Sequence, residues 1–209
     1  MLVVHHLNDS RSQRVLWLLE ELELPYVIAQ HQRDAVTRLA PPELAAIHPL
    51  GKSPVVVDGD QTIIESGAII DFIIRRHGGG RLQPEASSPA YDTYQQWLHY
   101  AEGSAMLPIM LAMYTGRLGE AAAPLVPRIT SELDNHLGYV EQSLAGRDYL
   151  IGAFSAADVQ MSFVGEAAAM SGRLASLSNM AAWVKRFQDR PAYRTALAKG
   201  GPYNMGPRD

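Results

Sequence analysis

The strongest constraint on the fold is a change of hydrophobic period at Gly78-Gly79-Gly80. Before these glycines, apolar runs of strand length alternate with helical stripes; after them no convincing strand occurs. Leu2 to Leu7 is a short apolar run that stops at Asn8-Asp9-Ser10, as a strand entering a turn does. Val15, Leu18, Leu19 and Leu22 then recur at helical spacing, and Pro25 ends that helix. Tyr26 to Ala29 reads as a second strand, and Pro41-Pro42 opens a short helical piece because proline suits a first helical turn. Val55-Val56-Val57 and Thr62-Ile63-Ile64 flank Asp58-Gly59-Asp60, which predicts a β-hairpin. Ser66 is placed to cap a helix whose apolar face holds Ile69, Ile70, Ile73 and Ile74. The resulting order, βαβαββα, calls for a small mixed sheet covered by helices.

Residues from His77 to Pro89 carry the triple glycine, prolines and serines of a linker. The chain is therefore expected to divide into residues 1–77, a linker at 78–87, and an all-helical part at 88–209. Within the latter, Val126, Ile129, Leu133, Leu137, Val140 and Leu144 form a single helical stripe. Ser155 and Asp158 have the spacing of a capping box, and the nearly all-apolar stretch from Val159 to Met170 predicts a helix buried on most sides. A last helix or two is expected to about Lys199.

Composition narrows the chemistry. Of 209 residues, 47% are apolar and 19% charged, enough carbon for packed cores. A net charge of −4 argues against a nucleic-acid or anionic-membrane surface, and no apolar run reaches the ~18 residues of a membrane span. Met1-Leu2-Val3-Val4 lacks the pattern of a secretory signal, so a cytoplasmic location is expected. The chain contains no cysteine, which excludes disulfides, thiolate zinc sites and cysteine nucleophiles. Any thiol chemistry must use a thiol brought by a substrate. His5 and His6 are adjacent on a strand, point to opposite faces and cannot chelate together, and no metal site is expected.

The segment Asn8-Asp9-Ser10-Arg11-Ser12-Gln13-Arg14 running into Val15–Glu21, together with His48-Pro49-Leu50-Gly51-Lys52-Ser53-Pro54, Glu65-Ser66-Gly67-Ala68-Ile69 and the Ser155/Asp158 cap, resembles cytosolic glutathione transferases over nearly the whole length. The first two passages, with Trp97 to Gly103, look most like a serine-type fungal and bacterial branch of that superfamily. The resemblance implies a thioredoxin-like βαβαββα domain followed by an all-helical bundle. It also implies a homodimer that conjugates the thiol of reduced glutathione to small hydrophobic electrophiles. Glutathione is then a co-substrate, with no resident cofactor. A cysteine-free glutathione-dependent disulfide reductase or peroxidase, and a non-catalytic scaffold that keeps only the fold, stay open as alternatives.

The same resemblance places glutathione on Lys52, Ser53, Pro54, Glu65 and Ser66. It implies a cis Ser53–Pro54 bond that turns the Ser53 backbone toward the peptide, with Lys52 a partner for the glycyl carboxylate. Ser66 at a helix start suits the γ-glutamyl carboxylate, and Glu65 suits the ammonium. Ser10 takes the catalytic position, its hydroxyl donating to the glutathione sulfur. A free thiol of pKa near 8.5 needs about 2.7 kcal/mol of preferential stabilisation to shift by ~2 units. Ser12 and Asn8 are rivals for that contact, and Ser10-x-x-Gln13 also fits a capping box that would spend the hydroxyl on the helix. Met106, Met110 and Met113 lie at helical spacing beside Tyr114. Such a stripe serves either as core or, as the resemblance implies for Met106, Met110 and Tyr114, as the wall of an electrophile pocket.

Overall fold

A helix joins the first two strands, and that crossover makes them parallel neighbours. The structure, a computed structural model, describes residues 1–207. β1 (Leu2–Leu7) pairs in parallel with β2 (Tyr26–His31), in register from Leu2↔Tyr26 to Leu7↔His31, across α1 (Ser12–Glu21). After α2 (Glu43–Ile47), β3 (Val55–Asp58) runs antiparallel to β1, and β4 (Gln61–Ile63) folds back on it around Gly59-Asp60. The sheet order is β2-β1-β3-β4, and α3 (Ser66–Arg76) completes the thioredoxin-like βαβαββα order expected from the periodicity. β2 continues to His31 rather than ending at Ala29, because every residue of β1 finds a partner on it.

Ser66 does not cap α3. The cap position is Glu65, at φ 66°, and its side chain makes no capping hydrogen bond. Ser66 is already the first helical residue, and its hydroxyl, 4% exposed, accepts a hydrogen bond from Arg14 Nη1 at 3.1 Å.

Contacts divide the chain into two units. Met1–Gln83 and the chain from Phe187 onward form the first; Pro84–Arg186 forms the second. In the first, α9 (Pro191–Gly200) returns to pack on α1. Trp17, fully buried, meets the rings of Phe187 and Tyr193 at 5.5 and 5.3 Å. Glu21 accepts from Trp17 Nε1 at 2.8 Å and takes a two-pronged bond from Arg190 at 2.6 and 2.8 Å. Aromatic contact and a bidentate ion pair thus draw the C-terminal segment onto α1.

The second unit is helical. It holds α4 (Pro89–Tyr100), a π-helical turn at Ala101–Ala105, α5 (Met106–Thr115), a 3₁₀ stretch at Gly116–Ala122, α6 (Val126–Ser143), α7 (Ala156–Met170) and most of α8 (Ser178–Gln188). α7 is buried from Ala156 to Ala168, as its unbroken apolar run requires. A Cβ on Gly165 would stand 2.7 Å from Trp183 and 2.8 Å from Val184, so glycine lets α8 approach. The capping box forms: Ala157 N–H donates to Ser155 Oγ at 3.2 Å, and Ser155 N–H donates to Asp158 Oδ2 at 3.0 Å. Asp158, fully buried, also accepts from Leu150 N–H at 3.1 Å and Trp183 Nε1 at 2.9 Å.

Asp158 therefore joins helix start, preceding loop and α8, beyond its capping role. Asp158→Ala leaves all these buried donors unmatched and is expected to cost about 3–5 kcal/mol, against about 1 kcal/mol for Ser155→Ala. Urea unfolding midpoints of the two variants measure the difference; equal midpoints would reduce Asp158 to a simple cap.

Candidate functional site

Where β1 ends, the chain turns sharply through Asn8-Asp9-Ser10 into α1. Asp9 takes up φ 51°, a left-handed conformation that aspartate tolerates better than most residues. Partners on several sides fix it. Asn204 donates from both its backbone N–H and its side-chain amide at 2.8 Å, and Arg38 donates at 2.5 Å. Burial alone would raise the Asp9 carboxyl, but these hydrogen bonds hold it below the usual aspartate range. Arg33 fastens the other side of the turn: its N–H donates to Asn8 Oδ1 at 2.8 Å, and its guanidinium to the carbonyls of Asn8 and Asp9.

Ser10 emerges from this clamp nearly buried, 3% exposed. Its Oγ accepts from Ser12 N–H at 3.2 Å and lies 2.7 Å from Ser12 Oγ and 3.4 Å from Ser53 Oγ. Ser53 in turn donates its hydroxyl to the His5 carbonyl at 2.9 Å. Ser12 is fully enclosed; its Oγ accepts from Leu7 N–H at 3.2 Å and lies 2.8 Å from His6 Nδ1. The capping box suggested by Ser10-x-x-Gln13 is not made. Arg11 holds the cap position of α1 without a side-chain capping bond, and both amide atoms of Gln13 are buried with no hydrogen-bond partner among the described residues.

Across from the turn, the Ser53–Pro54 peptide bond is cis. Ser53 stands outside the β1–β3 ladder, whose last pair is His5↔Val55, so its backbone groups take no part in that ladder. Lys52 is exposed and enters no ion pair among the described residues. Glu65 is exposed at the start of α3, in a backbone conformation that costs about 1–3 kcal/mol. Sites of this kind cluster where binding demands an unusual backbone. Ser66 lies beside it, backed by the buried Arg14 guanidinium.

The fold thus brings Ser10 and Ser53 together directly, and it joins Ser66 to α1 through Arg14. Two participants escape a reading of the sequence, Arg14 and His6. The signal for both is a polar side chain at a position where periodicity calls for an apolar one: Arg14 precedes the apolar run of α1, and His6 shares a strand face with Leu2 and Val4. Burial drives the His6 imidazole down to about 4, so it is neutral at physiological pH.

Met106, Met110 and Tyr114 lie on α5 of the second unit. Met106 is buried, Met110 is half-buried and Tyr114 is 55% exposed, so the stripe divides between core and surface. Among the described residues no group of histidine, aspartate and glutamate is placed to hold a metal ion, and no helix is long and apolar enough to cross a membrane.

Residues 1–75 match the glutathione S-transferase N-terminal domain family. The chain is 36% identical to glutathione S-transferase 3 of Schizosaccharomyces pombe, over 95% of this chain and 88% of that one. It superposes on the crystal structure of a glutathione S-transferase from Actinobacillus pleuropneumoniae with a TM-score of 0.89 and 31% identity, over 98% of this chain and 95% of the other. A glutathione transferase family member from Pseudomonas fluorescens, solved with two glutathione molecules bound, superposes with a TM-score of 0.77 and 25% identity over 93% of this chain and 91% of its own. At 36% identity over 95% of its length to one such transferase, the chain belongs to the glutathione S-transferase family.

Proposed function

We propose that this protein is a glutathione transferase of the serine type, which adds the thiol of reduced glutathione to small hydrophobic electrophiles. The observation that carries the reading is the nearly buried Ser10 hydroxyl, 3.4 Å from Ser53 Oγ beside the cis Ser53–Pro54 bond, in a chain with no thiol of its own. Family membership and the glutathione found in the Pseudomonas relative support it. Glutathione is the co-substrate, its cysteinyl backbone running along Ser53 and its γ-glutamyl end at Glu65-Ser66. There the N-terminus of α3 and the Arg14 guanidinium behind Ser66 offer positive potential to a carboxylate, while the exposed Glu65 accepts from the ammonium. Lys52 is the cation nearest in sequence for the glycyl carboxylate.

Of the rivals for the sulfur contact, Ser12 is fully enclosed and engaged with Leu7 and His6; Asn8 is anchored through its Oδ1 to Arg33 N–H, which leaves its Nδ2 donor as the alternative to Ser10. Ser10 is the catalytic residue in this reading. Its hydroxyl donates to the thiolate, and no base is needed, because a stabilised thiolate forms by loss of the proton to solvent. The thiolate then attacks the electrophilic carbon; the new carbon–sulfur bond forms as a leaving group departs or a conjugated double bond takes up the electron pair. The electrophile is held by Met110 and Tyr114 on α5, whose adaptable thioether and ring suit varied apolar shapes, with Met106 supporting them from the core. A homodimer located in the cytoplasm completes the proposal.

Side-by-side assays with an aromatic halide and with hydroxyethyl disulfide test the reaction class. Conjugation should dominate; faster disulfide reduction would make the protein an oxidoreductase instead. Ser66→Ala should weaken glutathione binding by about 10- to 100-fold in calorimetric titration, the worth of one charge-assisted hydrogen bond. Unchanged affinity would remove the γ-glutamyl assignment. Ser10→Ala should raise the thiol pKa of bound glutathione by about 1–2 units while affinity changes little, since the lost contact is to the ionised sulfur. The ultraviolet absorbance of the thiolate against pH reads this directly. A midpoint that stays put in Ser10→Ala would take the catalytic role from Ser10.

A further inference from the structure

Asp9 has a left-handed backbone, φ 51°, one residue before Ser10. A residue with a side chain stays in that region only where its surroundings hold it. Two distant segments hold Asp9. Arg38 Nη2, on the loop after β2, donates to Oδ2 at 2.5 Å. Asn204, beyond the end of α9, donates its backbone N–H to Oδ1 and its side-chain amide to Oδ2, each at 2.8 Å. A carboxylate can only accept, so the direction of all three bonds is fixed. Two of the three come from Asn204.

The loop after β2 grips the same turn by its peptide groups. Arg33 Nε donates to the Asn8 carbonyl at 3.0 Å and Nη2 to the Asp9 carbonyl at 3.3 Å, while Nη1 ties back to the Arg38 carbonyl. Asp9 is thus held at its peptide by one segment and at its carboxylate chiefly by another. Fixing both sets the plane in which the chain enters Ser10, and so the place of Ser10 Oγ, 3.4 Å from Ser53 Oγ.

We propose that Asn204, acting through Asp9, is a positioning residue for thiolate formation: the C-terminal segment latches the left-handed turn and so aims the Ser10 hydroxyl at the glutathione sulfur. The inference rests on Ser10 being the thiolate donor, as proposed above. A hydrogen bond weakens steeply once its angle is lost, and small displacements are costly at a reacting centre. Without the Asn204 amide, Asp9 Oδ2 is left to Arg38, whose side chain is 44% exposed and gives an ion pair open to water. The turn then relaxes toward ordinary backbone, Ser10 points at the sulfur for less of the time, and the thiol becomes less acidic. A direct effect of charge has the opposite sign at Asp9. A carboxylate beside the donor disfavours a thiolate, so neutralising it would by itself make the thiol more acidic.

Amide hydrogen exchange of the unaltered protein reads the latch itself. The Asn204 N–H should exchange more slowly than in an unstructured chain, and an unprotected Asn204 would overturn the proposal without any substitution. The ultraviolet absorbance of bound thiolate is then titrated in Asn204→Leu, which removes the side-chain donor at similar size, and in Asp9→Asn, which removes the charge. Both midpoints should rise by about half a unit, which lowers the thiolate population about threefold at a fixed pH below them. A lower melting temperature with an unmoved midpoint in Asn204→Leu would make the latch purely structural and overturn the proposal. A lowered midpoint in Asp9→Asn would overturn it too, because Asp9 would then act as a charge. Added to Ser10→Ala, Asn204→Leu should shift the midpoint no further, since no hydroxyl is left to aim; a second full shift there overturns the route through Ser10. If Asn204→Leu does not fold, Asn204→Ala is titrated with the same expected and overturning signs. Ser10→Ala alone separates the two readings: a midpoint unmoved there removes the donor role of Ser10, while a midpoint raised there but unmoved in Asn204→Leu removes only the latch.

Discussion

The first unit depends on α1 being buried along almost its whole length. Residues from Ser12 to Leu19 are enclosed without a break, between the sheet, α3 and α9. Val15, Leu16, Leu18 and Leu19 each contribute about 1.5–3 kcal/mol by leaving water, and Trp17 contributes more through its larger surface. Such a helix cannot start on a solvated cap. Its first turn is polar yet enclosed, so Ser12 must bond to Leu7, His6 and Ser10 inside the protein. The polar cluster proposed to handle the glutathione sulfur follows from enclosing the start of this helix.

The other end of α1 explains why the C-terminal segment joins the first unit. Trp17, Glu20 and Glu21 lie along one side of α1, and Phe187, Arg190, Tyr193 and Lys199 answer them. The same segment brings Gly200 close to Gln13 and His6, and Asn204 to Asp9 in the turn before Ser10. Residues at the far end of the chain thereby hold a turn near its beginning. Long-range contacts of this sort are costly in loop-closure entropy and are repaid only when the core around them is complete.

Much of this was legible before any coordinates. The strands, the hairpin around Gly59-Asp60, the helix from Ser66 and the Ser155/Asp158 cap are local patterns, in which the side chain that decides the conformation lies within a few residues of the backbone it decides. The Ser66 cap shows where local reading stops. Serine before an apolar stripe is a good capping signal, yet a left-handed Glu65 shifts the helix start by one position and hands the hydroxyl to Arg14, distant in sequence. Ser10, Ser53 and Glu65 could be singled out because each sits in a short passage with a family likeness. Arg14 and His6 could not, because the meaning of a buried polar residue lies in its partner.

The sequence by itself determined the order of elements, the absence of thiol chemistry in the protein, and the short passages that could meet glutathione. These follow from periodicity, composition and turn residues, which act over a few bonds. Tertiary structure decided that Ser12 is enclosed beside Leu7 and His6, that Ser10 Oγ meets Ser53 Oγ, and that α9 packs on α1. Those outcomes turn on desolvation and on hydrogen-bond partners that exist only once distant segments have met: a buried His6 beside Ser12, an Asn204 on Asp9 and a guanidinium behind Ser66.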